Sequence, residues 1–177
     1  ELRVNIAKIY KHISTNQILT TNGAIGANFL TLFTLVEPGD EVVTIIPTYQ
    51  QHYSIPEALG ANVTIVKLKP ENNFLPDIEE LKAAVTKNTK MICMNNPNNP
   101  TGALLSETEM MKIVDIAKEV DAYILCDEVY RHLNHQEGYS PSIVDLYSKG
   151  ISTSSMSKVF SLAGLRLGWV VAPLEVI

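Results

Sequence analysis

The sequence predicts an α/β protein in three layers, a mostly parallel sheet with helices on both faces. Three observations predict it. Strand patterns alternate with helix patterns along the 177 residues. Several of the strand patterns are continuous apolar runs, such as Lys90 to Met94 and Ala122 to Cys126, and such runs belong to strands buried on both sides. Polar or glycine-rich motifs follow one strand after another, where open α/β sheets bind ligands.

Composition agrees with a folded, soluble domain: 46% of residues are hydrophobic and 19% are charged. The length suits one domain over residues 1–177 with a sizeable core. A net charge of −5 and a pI near 5.3 weigh against a nucleic-acid-binding surface. Cys93 and Cys126 sit inside apolar runs and read as reduced core thiols rather than a disulfide or a metal pair. That usage points to the cytoplasm. No apolar run is long enough to span a bilayer, and no signal peptide is visible. The chain begins at Glu1 inside a helical pattern, which points to a longer parent.

The elements follow in order. Leu2, Ile6, Ile9, Tyr10 and Ile13 recur at helical spacing and predict a helix over 2–13. Gln17 to Thr20 reads as a short strand. Gly23 to Val36 reads as a buried helix, closed by the Glu-Pro-Gly-Asp turn at 37–40. Glu41 to Ile46 is a strand that stops at Pro47. Residues 50–59 read as a short helix, and Ala61 to Leu68 as a strand. Asp77 and Glu80 open a helix whose inner face carries Ile78, Leu81 and Val85. Lys90 to Met94 is a strand, and the Asn/Pro-rich stretch at 95–102 is irregular. Ser106 and Glu109 form a capping box, with Met110, Val114 and Ala117 turned inward. Ala122 to Cys126, Ile151 to Ser154 and Leu167 to Ala172 complete the strands.

Five strand ends carry special residues. Thr21 to Gly26 opens a helix with two glycines. Pro47-Thr48-Tyr49 follows the second strand. Asn95 to Gly102, Asp127 to Tyr130 and Ser154 to Lys158 follow three more. Each motif has an ordinary reading as a turn, a cap or a solvated loop, and a lone lysine in a serine-rich loop is normally a surface residue. Their joint occurrence at successive strand ends predicts a site. The four histidines, His12, His52, His132 and His135, have no metal-ligand spacing, and no metal site is expected. His132 and His135 follow Tyr130 and so fall near the site or simply in a loop. Glu128 should face away from Asp127.

The stretch from Ser155 to Gly168, with S-x-S-K at Ser155 to Lys158 and Arg166 eight residues on, resembles the lysine signature of class I/II aminotransferases. These are pyridoxal-phosphate (PLP) enzymes of fold type I. Asn99-Pro100-Thr101-Gly102 resembles their N-P-T-G motif, and Asp127 to Tyr130 their D-x-x-Y motif. Order and spacing agree, and the resemblance covers essentially the whole chain.

The resemblance implies the large domain of a PLP-dependent aminotransferase, which moves an amino group between an amino acid and a 2-oxo acid. It implies that Lys158 forms the Schiff base with the cofactor and then moves a proton as base and acid. An amine must shed its proton to attack, which burial and a nearby cation would favour. It implies that Asp127 pairs with the pyridine nitrogen, making the ring an electron sink. Asn99 and Tyr130 would bond the phenolic oxygen; a cis bond at Asn99–Pro100 would be one way to aim Asn99. The phosphate would rest on the N–H groups of Gly23, Ala24 and Ile25, with Ser155 and Arg166. Tyr49 would stack on the ring. Many relatives carry Ser or Thr where this chain has Ile25, so one hydroxyl contact is missing.

The resemblance also implies a homodimer and a parent about twice this length. Its smaller domain, built from both chain ends, would carry the arginine that grips the substrate carboxylate. The isolated segment should then transaminate poorly or not at all. Two alternatives share the motifs: another fold-type I PLP enzyme (a lyase, decarboxylase or oxidase), and the PLP-sensing domain of a transcription regulator.

Overall fold

A computed structural model describes residues 1–133 and 140–177. A seven-stranded sheet runs through it in the order β1-β7-β6-β5-β4-β2-β3. The strands are β1 (Ile18–Asn22), β2 (Glu41–Ile46), β3 (Asn62–Lys67), β4 (Thr89–Asn95), β5 (Tyr123–Asp127), β6 (Gly150–Ser155) and β7 (Leu167–Val171). β3, β2, β4, β5 and β6 pair in parallel, and β7 and β1 close the sheet antiparallel. The sheet is therefore mostly parallel, as the apolar strand runs require.

Side chains alternate across each strand, so one strand feeds two cores. Val43, Ile92, Met94 and Ile124 join Met110, Ile113 and Val114 of α5 (Glu107–Glu119) on one face. Leu81 of α4 (Ile78–Ala84) and Ile143 of α6 (Ile143–Leu146) belong to the same core. Val42, Met91, Cys93 and Leu125 face the other way, against Ala27 and Leu32 of α2 (Gly23–Leu35) and Ile55 of α3 (Gln51–Ala58). Both cysteines are buried and unpaired. Burial pushes the Cys93 thiol up to about 12, which makes it an inert core group.

The capping signals act as expected. Ser106 Oγ accepts the Glu109 N–H at 3.2 Å, and Glu109 returns a carboxylate to the Ser106 N–H at 2.6 Å. Asp77 accepts from the N–H groups of Glu79 and Glu80 at 3.0 and 3.1 Å. These bonds satisfy amides that a helix leaves without internal partners.

The first helix is shorter than its apolar spacing predicts. α1 covers Leu2–Ala7, and the chain then turns. Tertiary partners take the groups a longer helix would need. Arg131 Nη1 donates to the Ile9 carbonyl at 3.0 Å, and the Lys11 N–H donates to Asp145 Oδ1 at 2.8 Å. Ile9, Tyr10 and Ile13 nevertheless pack on the Ile18–Trp169–Val171 cluster, so their spacing recorded burial rather than helix. The first strand also starts later than its expected position at Gln17. A 3-10 turn over Thr15–Gln17 is held by the Ser14 N–H donating to Gln17 Oε1 at 3.1 Å, and β1 begins at Ile18. Asn95, read as the start of the irregular stretch, is the last residue of β4. α6 has no counterpart in the expected elements.

Candidate active site

Strand register assembles the site. Asn95, Asp127 and Thr153 are neighbours across the ends of β4, β5 and β6. Ser155 pairs with Gly168, and Gly168 pairs with Thr21, across β6, β7 and β1. A cavity of about 260 Å³ opens at these ends. Ala24 and Ile25 line it from α2, and Tyr49 from the loop after β2. Asn99, Asp127 and Tyr130 line it beyond β4 and β5. Ser155, Lys158 and Arg166 line it beyond β6. Thus nine of the ten expected site residues share one cavity, and the tenth, Gly23, lies directly behind Arg166.

Gly23 and Arg166 fit each other closely. The Gly23 N–H donates to the Arg166 carbonyl at 2.9 Å. A Cβ on Gly23 would stand 2.5 Å from Arg166 Nη2, and the glycine φ of +69° is one that other residues rarely adopt. Gly168 is needed for a similar reason, since a Cβ there would overlap the Gly23 carbonyl carbon. The guanidinium therefore sits beside the N-terminus of the 13-residue helix α2. The helix end and the arginine both favour an anion. Ser155 and Ser157 line the same cavity, with the Ser157 N–H donating to Ser155 Oγ at 3.2 Å.

At the other end Asp127 is buried. Oδ1 accepts the Val129 N–H at 3.1 Å, and Oδ2 accepts Asn28 Nδ2 at 3.0 Å. Asn95 Nδ2 donates to the Asp127 carbonyl at 2.7 Å, while Asn95 Oδ1 accepts the Asn99 N–H at 2.6 Å. One amide thus ties the Asp127 strand end to the Asn99 loop. The Ile46–Pro47, Asn96–Pro97 and Asn99–Pro100 bonds are cis. Asn98 Nδ2 anchors this loop to the Pro47 carbonyl at 2.9 Å.

Three contributors went unread in the sequence. Asn28 is a fully buried amide on a mostly apolar helix, and that contrast was the available signal. Asn95 carried only a strand-end position. His52 was given an ordinary reading, yet it is fully buried on α3. Its Nδ1 lies 3.1 Å from Thr48 Oγ1, and among the described residues Nε2 has no hydrogen-bond partner. Burial lowers its pKa, and the nearby Asp127 charge only partly opposes that.

Lys158 departs from one expectation. Its side chain is exposed, so burial is not what prepares it. The loop from Ser157 to Leu165 lies open over the cavity, with Leu165 63% exposed. Among the described residues no hydrogen bond or ion pair engages Nζ, and the cation sharing its cavity is Arg166. Tyr49 is 39% exposed at the cavity edge, as a platform for a flat ligand must be and a core residue is not.

Glu128 faces away from the cavity, as expected. It is buried and accepts from Ser142 Oγ, Ser152 Oγ and the Ile143 N–H at 2.7 to 2.8 Å. Burial raises its pKa, and Arg131 opposes the rise from 4.0 Å. Tyr10 joins this network through Ser152 and Trp169, and burial pushes its hydroxyl far up. The network fastens the turn that carries Asp127 and Tyr130. His132 packs against Phe160 of the lysine loop at 5.6 Å, and burial with Arg131 pushes it down to about 4. His135 lies outside the described residues. Among the described residues no His, Cys, Asp or Glu cluster could hold a metal. No helix there is long and apolar enough to cross a membrane.

Known proteins resemble this chain in sequence and fold. An aspartate aminotransferase of Pyrococcus horikoshii is 38% identical over all of this chain and 47% of its own length. A PLP-dependent aminotransferase structure from Streptococcus suis superposes with a TM-score of 0.95 at 49% identity, covering 98% of this chain and 46% of that one. The N-succinyldiaminopimelate aminotransferase of Mycobacterium tuberculosis superposes with a TM-score of 0.90 at 31% identity, covering 99% and 47%. The chain spans about half the length of the curated relatives it matches. The family model for aminotransferase class I and II matches residues 1–177. The chain belongs to the class I and II aminotransferase family.

Proposed function

We propose that the whole protein is a PLP-dependent aminotransferase, exchanging an amino group between an amino acid and a 2-oxo acid. The observation that carries this is the pairing of two chemically distinct ends in one cavity, with Lys158 on its wall. One end is built for a phosphate: the α2 N-terminus, Ser155, and an arginine fitted into the space where Gly23 lacks a Cβ. The other is a buried carboxylate held by two donors. A flat phosphorylated pyridine aldehyde fits that sequence of groups.

When bound, PLP supplies an aldehyde for covalent attachment and a ring that accepts electrons. Lys158 Nζ would supply the amine and afterwards carry the proton. Asp127 would pair with the ring nitrogen and keep a proton there. Asn99 and Tyr130 would bond the phenolic oxygen. The N–H groups of Gly23, Ala24 and Ile25, with Ser155 and Arg166, would hold the phosphate. Tyr49 would cover the ring and keep water from it.

The relatives named above are all aminotransferases, which supports transamination over a lyase, decarboxylase, oxidase or sensor role. Residues 1–177 form one large domain in this reading, with the smaller domain and the carboxylate-binding arginine outside them. The exposed pair of Phe29 and Phe33 on α2, with the phenyl rings stacked at 5.5 Å, suits a homodimer contact. The two free thiols suit the reducing cytoplasm.

The test is to mix the purified protein with PLP and record the visible band of lysine-bound cofactor, then repeat with Lys158→Ala. Loss of the band is expected; a band that survives unchanged would show that another residue carries the cofactor. Product analysis of amino-acid and 2-oxo-acid pairs with the whole protein then tests the reaction.

A further inference from the structure

We propose that Asn28 is a positioning residue for Asp127, oriented by Thr153, and that this three-residue chain sets the protonation of the cofactor ring nitrogen. The inference rests on the reading that Asp127 receives that nitrogen. Asn28 is fully buried on the inward side of α2, between Ala27 and Phe29. A buried amide in an apolar helix is costly unless its groups are paired. Here both ends are committed. Nδ2 donates to Asp127 Oδ2 at 3.0 Å, and Oδ1 accepts the Thr153 hydroxyl at 2.6 Å. Nδ2 also lies 3.5 Å from Gln51 Oε1.

The Asp127 carboxylate settles which way the amide points, because it only accepts and so takes the NH₂ group. Asn28 Oδ1 is left to accept the Thr153 hydroxyl, which holds the amide from its other end. A flipped amide would set an oxygen against an oxygen. Thr153 is itself fully buried and is the register neighbour of Asp127 on β6. The backbone that sets Asp127 therefore also sets the residue that aims Asn28.

Each carboxylate oxygen of Asp127 then has one fixed donor, the Val129 N–H on Oδ1 and Asn28 on Oδ2. An ionised carboxylate only accepts, so a donor on each oxygen suits the anion. A proton shared with a ring nitrogen would then rest on the nitrogen. Asn28 also lines the cavity beside Asp127, so its contact is made at the ligand's edge. His52 feels the Asp127 charge too, but burial outweighs it and lowers the His52 pKa.

The experiment uses the whole protein loaded with ring-¹⁵N-labelled PLP, comparing the unsubstituted protein with Asn28→Leu, Asn28→Ala and Thr153→Val. Two quantities are read: the ring-nitrogen chemical shift and the cofactor dissociation constant. Asn28→Leu should move the nitrogen signal toward that of a neutral pyridine and weaken cofactor binding by about tenfold to a hundredfold, the range for a hydrogen bond to a charged group. Asn28→Ala, which also removes the donor and adds no charge, should move both in the same direction. Thr153→Val should shift both in the same direction by less. Circular dichroism establishes which variants fold; if Asn28→Leu does not, the smaller Asn28→Ala and the near-isosteric Thr153→Val decide. Folded variants with an unchanged nitrogen signal would overturn the role of Asn28. An unsubstituted protein that shows no lysine-bound cofactor would instead overturn the cofactor reading beneath it.

Discussion

The Gly23 N–H donates to the Arg166 carbonyl at 2.9 Å, and the Arg166 guanidinium occupies the space a Gly23 side chain would need. Two residues 143 positions apart thus meet twice, once through backbone and once through an absent Cβ. The contact joins the start of α2 to the strand after the lysine loop.

Gly23→Ala should therefore damage binding more than folding. The new Cβ strains a positive φ, a cost of about 1 kcal/mol, and it also pushes the guanidinium out of line. Cofactor affinity should fall by roughly tenfold or more, the range for a charge-assisted bond. Gly39→Ala is the control, because its φ is +91° but nothing lies within 4 Å of its Cβ. It should lose stability alone. Equal binding in the two variants, measured by cofactor titration, would refute the steric argument.

Ile25→Thr should tighten phosphate binding. Ile25 lines the cavity at the α2 N-terminus and is 50% exposed, so a hydroxyl there displaces little packing. One added hydrogen bond predicts a roughly threefold to tenfold gain in PLP affinity. The gain should be absent for pyridoxal, which has no phosphate. A comparison of the two ligands in both proteins checks this.

His52 predicts a loss of stability on acidification. Burial lowers its pKa, so the folded protein keeps the ring neutral while the unfolded chain takes up a proton below about pH 6.5. The folded state holds this contribution above that pH and loses it as pH falls toward the depressed folded value. His52→Leu removes the group that titrates. Urea unfolding from pH 7.5 to about pH 5 should show a smaller decline for the variant than for the unsubstituted protein. Parallel declines would show that His52 is not the group responsible.

Much of the site was legible because its chemistry is carried by motifs short enough to read locally. Ser155 to Arg166, Asn99 to Gly102 and Asp127 to Tyr130 each lie within one strand end and its loop. The structure brings nine of the ten expected residues to one cavity, and parallel register aligns the strand ends that carry them. Asn28 and His52 were not legible in this way. Each sits on a different element from Asp127, and no local pattern distinguishes such a residue from any other buried polar group.

Local sequence was sufficient for the α/β class, the order of the strands along the chain, the helix caps and most of the residues that line the cavity. These follow from apolar periodicity and from side-chain chemistry that acts over a few positions. Only the tertiary structure decided where the first helix ends, because Arg131 and Asp145 claim the backbone groups of Ile9 and Lys11. Only it decided that Lys158 stands exposed on the cavity wall, and that Asp127 is held from α2 through Asn28 and Thr153. Those outcomes depend on contacts between residues far apart in the chain, which local spacing does not encode.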